Sequence, residues 1–573
     1  MKNIILILAT LFLVFTVSCT DDFNEINTQP DALSTDDISA KFFVTNIQQK
    51  LLRPTMIPLW FGDIIHPDGF SGQIANGYAG HSYDLDNHAW NGDLGWVYNS
   101  FYTDLGCWDW LAGYNSDLTS YMNNVGEGGP LEDEMYYALG LVMKGYYYQL
   151  FTEAFGMIPF TEASDPNIKL PKYDDQLTVY KGIVADLDKA IEIIGSNTEA
   201  GSGFGVLGEN DVIFKGNMQN WKKLANSIKL RVALRAHGGV GEDFSDNAVI
   251  EAISSGVLAD EDAMFEGYAD ETNIWGGSSS YGDVWHSFSN SQWKTTETLI
   301  NVLKTSDDPR LTKIAKPSVG GTITITKPTS DSENFDLIDD HVAFLKSTLD
   351  HSGLVLDTDY TWVETATDLT ITMPENTNYV GLPSRLSGKI KGYMNAKMFS
   401  DPADIITQKT NEGMPLYPTV VMTSADSHFM IAEAIVKGLA TGDANTYYQL
   451  GLEKAMAIWN VAPTAEFSAS DMGSLTGGTN EEKLEKIATQ RWLANYTNGY
   501  EGWSIVRDTG YPASAVITSD NNDIISFAGE MNGLQAHRLR YGTSVYSSNA
   551  ENANAAISQQ GADKMTTKLW FAK

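Results

Sequence analysis

The sequence predicts a mainly α fold: antiparallel helix pairs with inserted long loops and a small β element, forming one domain over residues 36–573. Three observations predict it. Apolar residues recur with the 3.6-residue period through most of residues 36–260 and again beyond about 420. The only clear alternating stretches, "GTITITK" and "LTITM", both fall in a loop- and β-rich insertion at about 260–420. A composition of 43% hydrophobic and 19% charged residues over 573 positions suits a large core.

Taken in order, "MKNIILILATLFLVFTVSC" has one positive charge and then an apolar run too short to span a bilayer with its flanks, so residues 1–18 read as a signal peptide. The run stops at Ser18-Cys19, where a bacterial lipoprotein signal would be cut and Cys19 acylated. Thr16 stands where such signals usually carry an aliphatic residue. Residues 19–35 are polar and acidic, without apolar periodicity, and read as a tether. Helical patterns follow over 38–52, 96–122, 131–155, 177–194 and 219–236. In the last, Trp221, Leu224, Ala225, Ile228 and Val232 form one stripe with Lys222, Lys223, Asn226 and Lys229 off it, so one face is expected to pack on a core. Residues 260–420 read as loops plus a small sheet. Helices return at 424–440, 444–461 and 479–503, the last as one helix opening on a Thr479/Glu482 capping box. No strict 34-residue repeat is visible.

Lysine and arginine number 38 against 73 aspartates and glutamates, a net charge of −35. That excess repels phosphate backbones, so nucleic acid is not an expected partner, and it argues against docking on anionic lipid through a basic patch. After cleavage at Cys19 the only other cysteine is Cys107, which precludes an internal disulfide. Its aromatic helical surroundings predict a buried free thiol rather than a nucleophile.

Catalytic constellations do not stand out. A glycoside hydrolase needs two carboxylates about the scissile bond, one held protonated, and among 73 acids nothing singles out a pair. Glu433, inside the apolar "FMIAEAIV", reads as a structural acid with a buried partner. There is no G-x-S-x-G elbow. The stretch from His66 to His88 gathers three histidines and three aspartates in a spacing that fits no zinc template. No cofactor is expected, and a structural calcium on oxygens of Asp84 and Asp86 is the one metal reading left open.

Several segments, in order, resemble the SusD/RagB family of outer-membrane nutrient-binding lipoproteins, in its second SusD-like branch. They include "CTDDFNEINTQPDA", "FGMIPFTEA" with "PKYDDQLTVYKGIVADLDKAI", "DVIFKGNMQNWKKLANSIKLRVALR", "DDPRLTKIAKP", "TQRWLANYTNGYEGWSIVRDTGYP" and the C-terminal "HRLRYGTSVYSSNAENANAAISQQGADKMTTKLWF". The resemblance implies helices arranged like tetratricopeptide repeats, a glycan or peptide site on loops, and no enzymatic activity. It implies a SusC-like TonB-dependent transporter as partner and a lipid anchor on Cys19. Asp21 and Asp22 resemble a surface-export signal, which implies the outer face of the outer membrane. Two other classes stay open: a hydrolase with an unidentified carboxylate pair, and a helical-repeat protein that binds peptides.

Aromatic residues nominate the site. Five of 14 tryptophans lie between 60 and 110, where even spreading predicts about one. Trp96, Tyr98, Phe101, Tyr102, Leu105 and Trp108 mix helical spacing with apolar neighbours and read as core. Trp60 and Trp90, by contrast, read as lying in Gly/Asp/Asn/Pro-rich connections, as do Trp275 and Trp285 in "TNIWGGSSSYGDVW". A pyranose lays its C–H patches on an indole while its hydroxyls bond at the edges. The expected site therefore uses Trp275 and Trp285 to stack sugar rings, Tyr281 to assist, Trp60 and Trp90 to extend the platform, and Asn273, Asp283 and His286 to orient hydroxyls.

Overall fold

Helix α1 (Ala40–Leu52) starts where Ser39, in extended backbone, accepts from the Lys41 amide, and it turns Val44, Ile47 and Leu51 inward. The computed structural model describes residues 38–54, 56–76, 104–265, 293–327, 329–330, 338–383, 395–407, 417–516 and 534–572; the signal peptide and tether, Cys19 included, lie outside them. A π-helical segment, Trp60–Asp68, follows α1 and leads to strand β1 (Ile74–Asn76). A second short π-helical turn, Asp104–Trp108, runs into α2 (Asp109–Val125). Trp108 and Cys107 are buried there, as their spacing predicts.

Helices α3 (Glu134–Phe155), α4 (Gln176–Ile194), α5 (Met218–Ala236) and α6 (Ser245–Ser255) then pack each on the next. Asp133, Asp175 and Asn217 cap the first three through their side chains. Gly145 brings α3 and α4 close: a Cβ there would stand 2.9 Å from Leu187 Cδ2. Helix α5 departs from the one-faced expectation. Asn226 and Lys229 are buried together with the apolar stripe, because α5 is flanked by α4 and α6 rather than by water. The Lys229 ammonium sits 2.5 Å from Asp188 and 2.6 Å from Glu251, one acid from each neighbouring helix. Asn226 donates to Ser255 and to the Gly256 carbonyl.

The inserted region contains β2 (Ala263–Phe265), β3 (Trp293–Thr295), α7 (Glu297–Thr305), β4 (Gly321–Thr326), α8 (Ile338–His351), β5 (Thr361–Glu364) and β6 (Asp368–Met373). The two alternating stretches form the small sheet: β4 and β6 are antiparallel, with Ile323 opposite Ile371 and Thr324 opposite Thr370, and β5 adds to the other edge of β6. Isoleucines 323, 325 and 371 with Leu369 and Met373 face a core cluster shared with Leu345 and Leu349 of α8, while Thr322, Thr324 and Thr326 face out. Helices α7 and α8 correct the loops-plus-sheet expectation. The apolar stripe of α7 is only Leu299, Ile300 and Leu303, too short to stand out among Gly, Ser and Thr.

Strand β7 (Thr419–Met422) precedes α9 (Ser424–Val436), α10 (Ala444–Ala457), α11 (Asn480–Ala494) and α12 (Gly499–Thr509). The expected Thr479/Glu482 capping box is present. The single helix expected over 479–503 is two helices, because Asn495 ends α11, Thr497 takes φ +70°, and the Asn498 side chain caps α12 by accepting from the Glu501 amide. Helix α13 (Ala550–Gln560) closes the fold. The main core runs from Ala40 to Phe571 and includes the fully buried Trp221, Trp492 and Trp503. This is the mainly α, tetratricopeptide-like architecture that the sequence predicts.

Candidate functional site

Strands β1 and β3 pair antiparallel with Ile74 opposite Thr295 and Asn76 opposite Trp293. The chain therefore leaves β1 beside the point where it enters β3, and residues 77–103 and 266–292 are rooted on adjacent backbone. The far root of 266–292 is also paired, since Phe265 at the end of β2 lies opposite Thr419 of β7. Leu382 donates its amide to the Thr295 carbonyl and accepts from the Glu297 amide, which sets the start of residues 384–394 against the same strand. Ala515, just before 517–533, reaches within 3.0 Å of the Cβ position of Gly72, whose φ is +75°. Two of these segments, 77–103 and 266–292, thus each have one end on this small sheet, and 384–394 and 517–533 begin close to it.

Buried polar contacts hold that sheet to the helices. Thr296 Oγ1 donates to the Gly72 carbonyl at 2.5 Å, Gln73 donates to the Trp492 carbonyl, and the Trp492 indole N–H returns a bond to Ser71 O, both at 2.8 Å. Lys294, 4% exposed, is paired with Asp401 at 2.5 Å. These buried contacts tie the residues flanking β1 and β3 to α11.

Of the residues nominated for ligand contact, Trp90, Asn273, Trp275, Tyr281, Asp283, Trp285 and His286 lie outside the described residues. Trp60 lies within them and is not in a connection: it begins the π-helical segment and packs, half-buried, against the main core. Gly62, in the same segment, packs at the Gly106 carbonyl, where a Cβ would stand only 2.1 Å away. His66 is fully buried, with Nδ1 3.8 Å from Cys107 Sγ. Asp84 and Asp86 lie outside the described residues, and no group of three or more metal-ligating side chains occurs among those described.

The buried carboxylates are mostly bound by arginine. Arg235 lies 2.6 Å from Glu153 and 2.5 Å from Glu501; Arg491 lies 2.8 Å from Asp426, 2.8 Å from Glu433 and 3.6 Å from Glu501. Burial works to raise the Glu433 carboxyl, but Lys437 and Arg491 outweigh it and hold the group at about 2. Glu501 is likewise held down against burial by Arg231, Arg235 and Arg491. Glu433 and Glu501 are thus held ionised and engaged, so neither fits a general acid.

Asp63 and Asp68 behave oppositely. Burial raises Asp63 to about 7 against one backbone hydrogen bond from Gly499, and burial plus the charge of Asp63 raises Asp68 well above the usual range. Gly499 packs against both, since a Cβ there would stand 2.6 Å from Asp63 Oδ1 and 2.7 Å from Asp68 Oδ1, and Asp68 is fully buried. Burial, with Asp63 and Asp104 nearby, also pushes the Cys107 thiol up, so it is not a nucleophile.

A family model described as "SusD-like_2: Starch-binding associating with outer membrane" matches residues 62–336 and 362–528. A search of curated proteins finds no match. Among solved structures, a chitin-binding protein is 20% identical over 93% of this chain and 100% of its own, with a TM-score of 0.67. A SusD homolog from Bacteroides uniformis is 21% identical over 94% and 100%, at 0.66. A Bacteroides vulgatus outer membrane protein whose description names nutrient binding is 20% identical over 94% and 100%, at 0.64. These three share the fold.

Proposed function

The chain belongs to the SusD-like family of starch-binding proteins that associate with the outer membrane, and from that premise we propose that it captures oligosaccharide or polysaccharide at the cell surface and passes it to a SusC-like TonB-dependent transporter. On this reading it is a non-catalytic lipoprotein, anchored through Cys19 and facing outward. The observation that carries the reading is the β1–β3 pairing, which brings one end of 77–103 beside one end of 266–292, because these two segments hold Trp90, Trp275, Tyr281 and Trp285. Aromatic faces borne on polar, glycine-containing segments of a rigid frame suit sugar rings. The state of two buried carboxylates supports binding without hydrolysis, since Glu433 and Glu501 are held ionised by arginine. The similarity to a chitin-binding protein and to a nutrient-binding outer membrane protein is consistent with a glycan ligand.

The test is to incubate the purified protein with a panel of polysaccharides including starch and chitin, following both retention on the polymer and release of reducing ends. Retention without release is expected. Release of reducing ends returns the molecule to the hydrolases, and retention of none of the glycans together with capture of peptides favours the helical-repeat alternative.

A further inference from the structure

A cleft of about 510 Å³ opens between the C-terminal half of α7, the outer face of α11 and residues 512–514. It shares no residue with the β1–β3 sheet. Its volume falls in the range of small-ligand sites, roughly 300–1,000 Å³. Gly477 and Gly478, at φ +78° and +71°, form part of its rim and narrow the opening by no side chain of their own. Helix α11 is fixed at this end by its capping box, so positions 482, 486 and 489 present one stable wall on successive turns.

The lining chemistry is mixed and nearly balanced, two lysines against three acids. Lys486 is held by Asp471 at 2.7 Å. Lys483, half-buried, has no ion-pair or hydrogen-bond partner among the described residues, and neither does the hydroxyl of Thr489, whose side chain is 3% exposed. Glu485 adds an exposed acceptor, and Val302 and Met472 add apolar surface. Such a site disfavours a phosphate, which needs excess positive charge, and a bare cation, which needs converging oxygens. Among the described residues no aromatic ring lines it, so it is not a stacking platform for a long chain.

We propose that this cleft is a second carbohydrate position, separate from the aromatic segments, that takes one or two neutral sugar residues. Lys483 donates to ring or glycosidic oxygens, Glu485 accepts from hydroxyls, Thr489 does either, and Val302 with Met472 meets the C–H face. The ligand class extends the glycan reading, while the site stands on its own geometry.

The full-length protein carrying Trp275→Ala and Trp285→Ala is titrated with glucose, maltose, N-acetylglucosamine and chitobiose by calorimetry and by ligand-observed NMR. Saturable one-to-one binding of at least one of these sugars is expected, weakened about tenfold or more by adding Lys483→Ala or Thr489→Val with the melting temperature unchanged. Binding of none of the four, or binding that neither added substitution alters, overturns the proposal. The aromatic reading is scored separately, by whether the two tryptophan substitutions change retention on polysaccharide. A wild type that holds polymer only through the tryptophans and shows no binding in the double variant sinks the cleft and leaves the platform.

Discussion

Asp63 titrates where an ordinary aspartate does not. The unfolded chain releases its proton near pH 4, while burial holds the folded group at about 7. Between those values folding takes up a proton, so the stability tied to Asp63 falls as pH rises from about 4 to about 7 and is level above. Asp63→Asn keeps the shape and removes the titration. Its melting temperature is expected to gain on the wild type as calorimetry moves from about pH 5 to pH 8; a constant difference would refute the assignment. Nothing near Asp63 in sequence announces this, because the contact that seals it comes from Gly499. Glu433 was more legible: its apolar neighbours mark it as buried and structural, and Lys437 stands at i+4, but Arg491 is supplied by another helix. The residues nominated for sugar contact carry their own prediction. Trp275→Ala and Trp285→Ala should each weaken glycan binding by about 1–3 kcal/mol with little change in melting temperature. Normal binding, or a fall of many degrees, makes those rings scaffolding.

Helix ends were readable where their chemistry is local. The Thr479 and Glu482 side chains accept from each other's backbone amides within one turn, so spacing alone identifies the start of α11. Thr479→Ala is expected to cost about 1 kcal/mol in denaturant unfolding, with no change in the slope; an unchanged midpoint would mean that tertiary packing alone holds this terminus. The strands β4 and β6 were equally legible, since alternating Ile and Thr allow one inward face, while their partnership came only with the fold. The break at Asn495–Asn498 and the short helix α7 were not, because apolar spacing continues through the first and barely develops in the second. The π-helical segment at Trp60 escaped for a different reason: its glycine and proline signal a connection, and the close approach of Gly62 to the Gly106 backbone is a tertiary contact that no local pattern shows.

At the scale of the molecule, the order of periodic segments was enough to predict paired helices with an insertion, since each pair is close in sequence. The candidate site was legible only as a set of unusual aromatics. What joins their segments is the pairing of Asn76 with Trp293, a contact across more than 200 residues that no local pattern encodes. Attachment to the membrane is predicted from Ser18-Cys19: two or more acyl chains give stable anchoring, whereas one binds only marginally. Cys19→Ala is therefore expected to move the protein from the membrane fraction to the soluble one, and continued sedimentation with membranes after signal cleavage would remove the anchor from the account. The buried arginines have a further implication, for how the chain can be divided. Arg231 and Arg235 come from α5, yet their shared partner Glu501 is on α12, and Arg491 of α11 reaches the same carboxylate. A fragment ending near residue 410 would lack Glu501, leaving Arg235 with Glu153 only and Arg231 with Gln149, and its complement would keep Glu501 beside Arg491 alone, so each piece loses ion pairs that the whole chain makes. Expressed separately, the two pieces should stay protease-sensitive; expressed together, they should find each other and reconstitute one resistant particle, as halves of a single cooperative body rather than two modules on a string.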